Sequence, residues 1–530
     1  MSAAANPAQP GFAVDPLEAL FTTRRVVAFI AMVFGMFMAI LDIQIVSASL
    51  SEIQAGLSAS ADEVAWVQTS YLIAEVVMIP LSGFLSRAFS TRIMFTISAA
   101  GFTLMSLLCA TATSINQMIV FRALQGFIGG GMIPTVFAAA YTIFPRRKMP
   151  LIAPLIGLVA TLAPTIGPTL GGYLTDLFNW RWLFLVNVAP GIVVTTVSWL
   201  LVDFDHPDLR VLKNFDWTGL ISMALFLGAL EYLLEEGPTK NWFDEDLITL
   251  AAVASAAGAA MFFWRAFTAK NPIVDLTAFA NRNFWTGSMA SFVLGVGLYG
   301  LTYLYPVYLA RVRGLSALQI GETMFVTGLC QFMAAPLVGK LMTRFDPRIM
   351  IAGGFIGFAY SCWLATFITK DWAFGELIIP QIFRGFSLMF CMVPINNLAL
   401  GTLSPAKIKN ASGLFNVTRN LGGAVGLAMI NTMINKRMDL HLERLHETVK
   451  WGNAQAEETL ANLTKAFATH GSDAALSATK QLAKIVRREA EVLALSDVFL
   501  ALAILFVAMA AIAPLMRRPG APPAPGGGAH

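Results

Sequence analysis

Apolar residues in this chain come in runs far longer than a globular core needs, separated by short polar punctuation. A helix crossing a hydrocarbon layer about 30 Å thick takes roughly 20 apolar residues. On that length the sequence predicts fourteen spanning helices, near 26–50, 64–86, 93–113, 116–140, 150–174, 182–202, 216–234, 247–267, 284–310, 317–341, 349–369, 374–402, 410–434 and 494–516. One interval breaks the rhythm. Residues 437–493 are polar and rich in Ala, Glu, Lys and Leu, with helical periodicity from Leu440 to His446 and from Leu482 to Ala490. They are expected to extend the last two spans as helix outside the membrane.

Two stretches 256 residues apart repeat one another. Gly83-Phe-Leu-Ser-Arg-Ala-Phe-Ser-Thr-Arg92 is answered by Gly339-Lys-Leu-Met-Thr-Arg-Phe-Asp-Pro-Arg348, with Gly, Leu, Phe and Arg at matching offsets. Each leads, one helix on, to an arginine inside apolar sequence, Arg122 and Arg384. Duplicated helix sets of this kind build carriers, because two related halves can rock about a site between them. The sequence therefore divides into an unstructured N-terminus (1–24), a six-helix bundle (25–203), two inserted helices (204–270), a second six-helix bundle (271–516, containing the 437–493 extension) and an unstructured tail (517–530).

Composition supports a membrane body: 56% of residues are hydrophobic and 13% charged, against about a quarter charged in soluble domains. Residues 1–24 lack the charged-then-apolar order of a cleaved leader. Short loops on the side of the two chain ends would carry nineteen Lys and Arg, and those on the other side five. Basic loops mark the cytoplasmic face, so both ends are expected there. The net charge of +4 sits at membrane edges and implies no nucleic acid. The four cysteines lie in apolar spans, and no metal-ligand spacing occurs, so neither metal nor cofactor is expected. Five scattered histidines supply no catalytic cluster.

Charges inside the spans carry the chemistry. Each costs roughly 2.5–3.5 kcal/mol at mid-bilayer on insertion scales, so each needs a partner or a task. Asp42, Glu75, Arg122, Glu231, Glu322, Arg384 and Arg419 are the candidates. At 1.5 Å per residue, Glu75 stands about 14 Å below Trp66, near the midplane, and Glu322 only about 9 Å below Ser316. Burial favours the neutral form of a carboxyl group, and a nearby guanidinium favours the charged form. Asp42 and Glu75, tuned by Arg122, are therefore candidates for proton coupling, with Glu322 a weaker one. A structural ion pair holding the first, second and fourth spans together is the competing reading. Glu231 lies on the inserted pair, where helix packing or a lipid edge is expected. Gln44, Gln68, Tyr71, Tyr303, Arg384, Asn396, Asn397, Asn416 and Arg419 are the expected substrate-binding residues. Gly126, Pro164, Gly167, Pro168, Gly171, Gly172, Gly422 and Gly423 are expected to let helices approach closely, the fifth span packing on the thirteenth.

At this point the residues resemble a known family. Leu41-Asp42-Ile-Gln-Ile-Val-Ser-Ala-Ser-Leu50, Arg122-Ala-Leu-Gln-Gly126, Ala163-Pro164-Thr-Ile-Gly167-Pro168-Thr-Leu-Gly171-Gly172, Trp180 to Asn187 and Asn271 to Phe284 together resemble the major facilitator superfamily. Within it they are most similar to the fourteen-helix drug:proton antiporters of the EmrB/QacA type, and most of all to EmrB-like proteins. The resemblance implies an all-α integral membrane fold of two pseudo-symmetric six-helix bundles plus two inserted helices. It implies proton-coupled export of hydrophobic or amphipathic compounds from a bacterial inner membrane, with a periplasmic membrane-fusion adaptor and an outer-membrane channel as partners. Within the transporter class, a dedicated exporter of an endogenous lipid, fatty acid or siderophore is the alternative. One departure concerns the first inner loop, where Arg87 and Ser90 stand in place of the family's usual Asp and Gly. An inner gate closed by that carboxylate is then in doubt.

Overall fold

A computed structural model describes residues 22–517, apart from 214, 270, 271, 451 and 468–472. The expected unstructured ends therefore lie almost wholly outside the described residues, as do Lys270, Asn271 and Arg518. The chain is helical, with no strand among the described residues. Fourteen long helices follow in order: α1 Thr23–Ala48, α2 Ala61–Phe89, α3 Thr91–Thr111, α4 Ile115–Ile143, α5 Met149–Leu177, α6 Trp182–Leu201 and α7 Trp217–Glu236. Then come α8 Asp246–Thr268, α9 Arg282–Val312, α10 Ala317–Leu341, α11 Pro347–Ala365, α12 Phe374–Leu400, α13 Pro405–Thr448 and α14 Ala474–Ile512.

Thirteen of the described helices are long and apolar enough to cross a membrane. The exception among the fourteen is α13. Its passage through the bundle carries Asn410, Asn416, Arg419, Asn420 and Asn431, and it packs on α9, α2, α14, α4 and α7. A helix enclosed by protein needs no apolar surface all round, which is why a hydropathy threshold passes over it. At 44 residues it is about 66 Å long, so its far end leaves the bundle. There His441 Nε2 lies 2.9 Å from Asp497 Oδ2 of α14, and Arg437 3.5 Å from the same carboxylate. These contacts tie the two projecting arms together, with a short helix, Ala454–Ala466, between them.

The duplication seen in sequence persists in local structure. α2 starts on a reciprocal cap, the Glu63 amide donating to Ser60 Oγ and the Ser60 amide to the Glu63 carboxylate. α10 starts in the same way on Ser316 and Gln319. Side chains of this type satisfy the unpaired amides of a first turn. Packing repeats too. α1 lies on α5, where a Cβ at Gly171 would come within 2.9 Å of the Ile45 carbonyl oxygen. α9 lies on α13, where a Cβ at Gly422 would overlap the Phe292 carbonyl oxygen. Gly422, Gly423 and Gly426 of α13 thus face α9, not α5 as expected. Each bundle uses its own glycine-bearing helix internally.

The two bundles meet along α2 with α13 and along α5 with α10. At the end carrying the chain termini, the α2–α13 seam is tight. Gly83 abuts the Lys409 backbone, a Cβ there standing 2.7 Å from its carbonyl oxygen. Lys409 Nζ pairs with Asp205 and donates to the Ser86 carbonyl at 3.2 Å. Asp205 also accepts from the Thr91 amide at 2.9 Å and from its hydroxyl at 3.0 Å.

The inserted pair is not symmetric. α8 packs almost entirely on α7, whereas α7 bridges the bundles by touching both α2 and α13. Trp66 stacks on Tyr232 with centroids 5.4 Å apart. Trp242 Nε1 donates to Thr432 Oγ1 at 2.9 Å, and Asn435 Nδ2 to the Pro238 carbonyl at 3.1 Å.

Candidate functional site: an ion-pair core and an acidic cavity

The buried charges separate into three groups. The first is a network within the N-terminal bundle. Arg122 Nη1 donates to Asp42 Oδ2 at 2.6 Å, both residues being fully buried. Asn187 Nδ2 donates to Asp42 Oδ1 at 2.7 Å, and Gln125 Oε1 accepts from Arg122 Nη1 at 2.8 Å. Arg122 Nε reaches the Val67 carbonyl at 3.2 Å, and its guanidinium covers the Tyr71 ring at 4.2 Å. Five helices (α1, α2, α3 through Ser106, α4 and α6) meet in these contacts. Gly126 makes the approach possible, because a Cβ there would overlap the Tyr71 carbonyl.

The second group lines a cavity of about 280 Å³ between the bundles, in the halves of the helices away from the chain termini. Glu75, Gln44 and Gln68 of the N-terminal bundle face Tyr299, Thr302, Tyr303 and Asn420 of the C-terminal bundle across it. Glu231 and Glu235 of α7 close its side. Glu75 is 3% exposed, yet its Oε1 has no hydrogen-bond partner among the described residues, and Gln68 Oε1 has none either. No Lys or Arg lines this cavity.

The third group is cationic and belongs to the C-terminal bundle. Arg384 Nη2 donates to Thr302 Oγ1 at 2.6 Å and lies over the Tyr305 ring, while its Nη1 lacks a partner. Arg419 donates to Asn396 Oδ1 at 2.6 Å and to Ser291 Oγ at 3.3 Å, and covers the Phe137 and Phe415 rings. Neither arginine has a carboxylate within ion-pair distance among the described residues.

The sequence candidates are accordingly divided. Asp42 and Arg122 come together, but Glu75 stands apart from their contacts on the cavity wall. Glu322 joins neither; it is exposed in a groove between α5 and α10 with Thr169, Tyr173 and Phe325. Gln44, Gln68 and Tyr303 line the cavity, the Tyr303 hydroxyl donating to Asn431 at 2.7 Å. Tyr71 lies behind the wall under Arg122, and Arg384 reaches the cavity through Thr302. Asn396 serves Arg419, Asn416 bonds to the Ser412 carbonyl of its own helix, and Asn397 lies off the cavity near the end of α12. Glu231 is the correction: it stands on the cavity wall, not at a lipid edge. Glu231 and Glu235 are four residues apart and so share a helix face. Gly228, lying against Ile73 of α2, marks the same face, and that spacing was the available signal.

A bundle pair related by internal duplication, with charges enclosed at the seam, defines a secondary transporter rather than an enzyme. The chain belongs to the Major Facilitator Superfamily, whose profile matches residues 32–427. Among relatives, it is similar to the colistin resistance protein EmrB of Acinetobacter baumannii, 41% identical over 92% of this chain and 96% of that protein. The fatty acid resistance protein FarB of Neisseria gonorrhoeae is 30% identical over 94% of this chain and 96% of its own length. The multidrug export protein EmrB of Escherichia coli is 28% identical over 97% and 99%. Among solved structures, the human organic anion transporter MFSD10 matches with a TM-score of 0.56 at 12% identity, covering 91% of this chain and 99% of that one. A bacterial Spinster homologue in an inward-facing state matches with a TM-score of 0.53 at 16% identity, covering 94% and 100%. These likenesses concern the fold.

Proposed function

We propose that this chain is a proton-coupled multidrug efflux antiporter, exporting hydrophobic and amphipathic toxic compounds by alternating access, with Glu75 as the carboxylate that carries the proton. The carrying observation is the position of Glu75: almost fully buried, on the wall of the cavity between the bundles, with an oxygen that nothing in the protein satisfies. A carboxyl group keeps its proton where neither water nor a cation reaches it and releases it where either does. A change of exposure between two states then moves a proton across the seam. Asp42, by contrast, is saturated by Arg122, Asn187 and Gln125 and keeps the bundle together.

Orientation belongs to the same reading. The basic side is cytoplasmic and the cavity opens in the opposite half, so the arms of α13 and α14 stand in the periplasm of a bacterial inner membrane. They are the surface on which a periplasmic adaptor and an outer-membrane channel would complete the pump.

The test is efflux from proteoliposomes under an imposed pH gradient. Glu75→Gln is expected to abolish gradient-driven transport while retaining downhill exchange of the same dye. Gradient-driven efflux by the variant at the native rate would remove Glu75 from the role. Export of one fatty acid, lipid or siderophore is the second reading. The likeness to FarB and the guanidinium of Arg384, which has no carboxylate partner among the described residues, favour it, and retention of that one metabolite in a deletion strain, with no loss of dye efflux, would establish it.

A further inference from the structure

We infer that the inserted helix α7 is a wall of the substrate site, and that Glu231 and Glu235, with Glu75 opposite, make that site select ligands bearing a cationic centre on an apolar body. This rests on the reading above that the cavity between the bundles is where substrate binds.

Three carboxyl groups line one cavity of about 280 Å³ that contains no Lys or Arg. None of the three forms an ion pair among the described residues. Glu231 is 7% exposed and Glu75 3%, so this is no solvated surface cluster whose charges water compensates. The unpartnered oxygens of Glu75 and Gln68 point to a ligand group that donates hydrogen bonds or carries positive charge, because acceptors left alone in a buried site are costly. The cations behind the walls do not meet that need. Arg122 is committed to Asp42, and Arg384 reaches the cavity only through the Thr302 hydroxyl.

The rest of the lining fits the same ligand. Tyr299 and Tyr303 add aromatic rings of the kind that attract cations, and Ile43, Leu72, Val76 and Leu427 offer apolar surface to its body. The volume lies just under the usual range for small-molecule sites, enough for a compact organic cation or for the charged end of a longer amphiphile. The helix that brings Glu231 and Glu235 is held in place, not loosely applied. Trp66 against Tyr232 fixes it to α2, and Trp242 with Thr432 fixes the following turn to α13. Helix α7 thus spans the seam and presents its acidic face inward.

Equilibrium binding of three similarly shaped probes to the purified full-length protein in nanodiscs tests this. Tetraphenylphosphonium is cationic, triphenylphosphine oxide neutral and tetraphenylborate anionic. The native protein is expected to bind the phosphonium at least tenfold more tightly than the borate. Glu231→Gln/Glu235→Gln is expected to weaken phosphonium binding about tenfold and to leave the phosphine oxide within twofold. The native comparison needs no substitution, so a misfolded variant does not spoil it. Equal affinity of the native protein for all three probes overturns the inference, as does native phosphonium affinity in the folded double variant. Failure of the proposed transport reads differently: native protein that binds the phosphonium selectively but moves no probe under a pH gradient would overturn the efflux reading and leave the site's selectivity standing.

Discussion

At the scale of residues, two acidic side chains on neighbouring helices have opposite situations. Asp42 accepts from Arg122, Asn187 and Gln125, whereas the Oε1 of Glu75 accepts from nothing. Removing one member of a buried pair leaves an uncompensated charge and costs about 3–5 kcal/mol. Asp42→Asn should therefore lower the melting temperature and the yield of monodisperse protein in fluorescence-detected size exclusion. Glu75→Gln should leave melting unchanged or raise it, since it replaces an unpaired buried acid with a neutral amide. Normal stability of Asp42→Asn together with lost proton-driven efflux would reverse the assignment and return Asp42 to the coupling role. The sequence marked Asp42, Glu75 and Arg122 alike, because any charge within a span is costly. It could not divide them. Which carboxylate meets the guanidinium depends on how α1, α2 and α4 are rotated about their axes, and every rotation keeps the same composition.

Helices show the same division between what is legible and what is not. The glycine and proline runs of α5 and α13 read as close-packing surfaces from their composition, and close packing is what they do. Their partners, α1 and α9, follow from the arrangement within each bundle. Gly422→Leu should drive a side chain into the Phe292 carbonyl; overpacking of this kind costs about 1–3 kcal/mol or more, visible as loss of folded protein at ordinary temperature. The contact at the basic end of the α2–α13 seam makes a functional prediction. Asp205 holds the start of α3 through Thr91 and the start of α13 through Lys409. Asp205→Asn should loosen that closure, lengthening the distance between spin labels at Phe89 and Lys407 in electron–electron resonance. An unchanged distance distribution would show that apolar packing around Gly83 suffices to close it.

For the molecule as a whole, the two seams and the bridging helix make a carrier whose halves can tilt while α7 guards one side of the cavity. The arms of α13 and α14 then project on the face opposite the chain ends. A cysteine placed at exposed Glu458 should react with an impermeant maleimide on intact cells, while an N-terminal tag stays unreactive until the membrane is opened. The reverse pattern would invert the orientation.

Hydrophobic run length, the duplicated loop motifs and the rarity of charge within spans were enough to indicate a membrane carrier, its helix count and most of its buried ionisable residues, because the bilayer imposes those features on any local stretch of chain. Contacts between segments far apart in the chain settled the remainder. They gave Arg122 its carboxylate, left Glu75 without a cationic partner, and turned the acidic face of α7 toward the cavity. Those outcomes depend on where each helix face points, and one strip of sequence carries no record of what will stand opposite it.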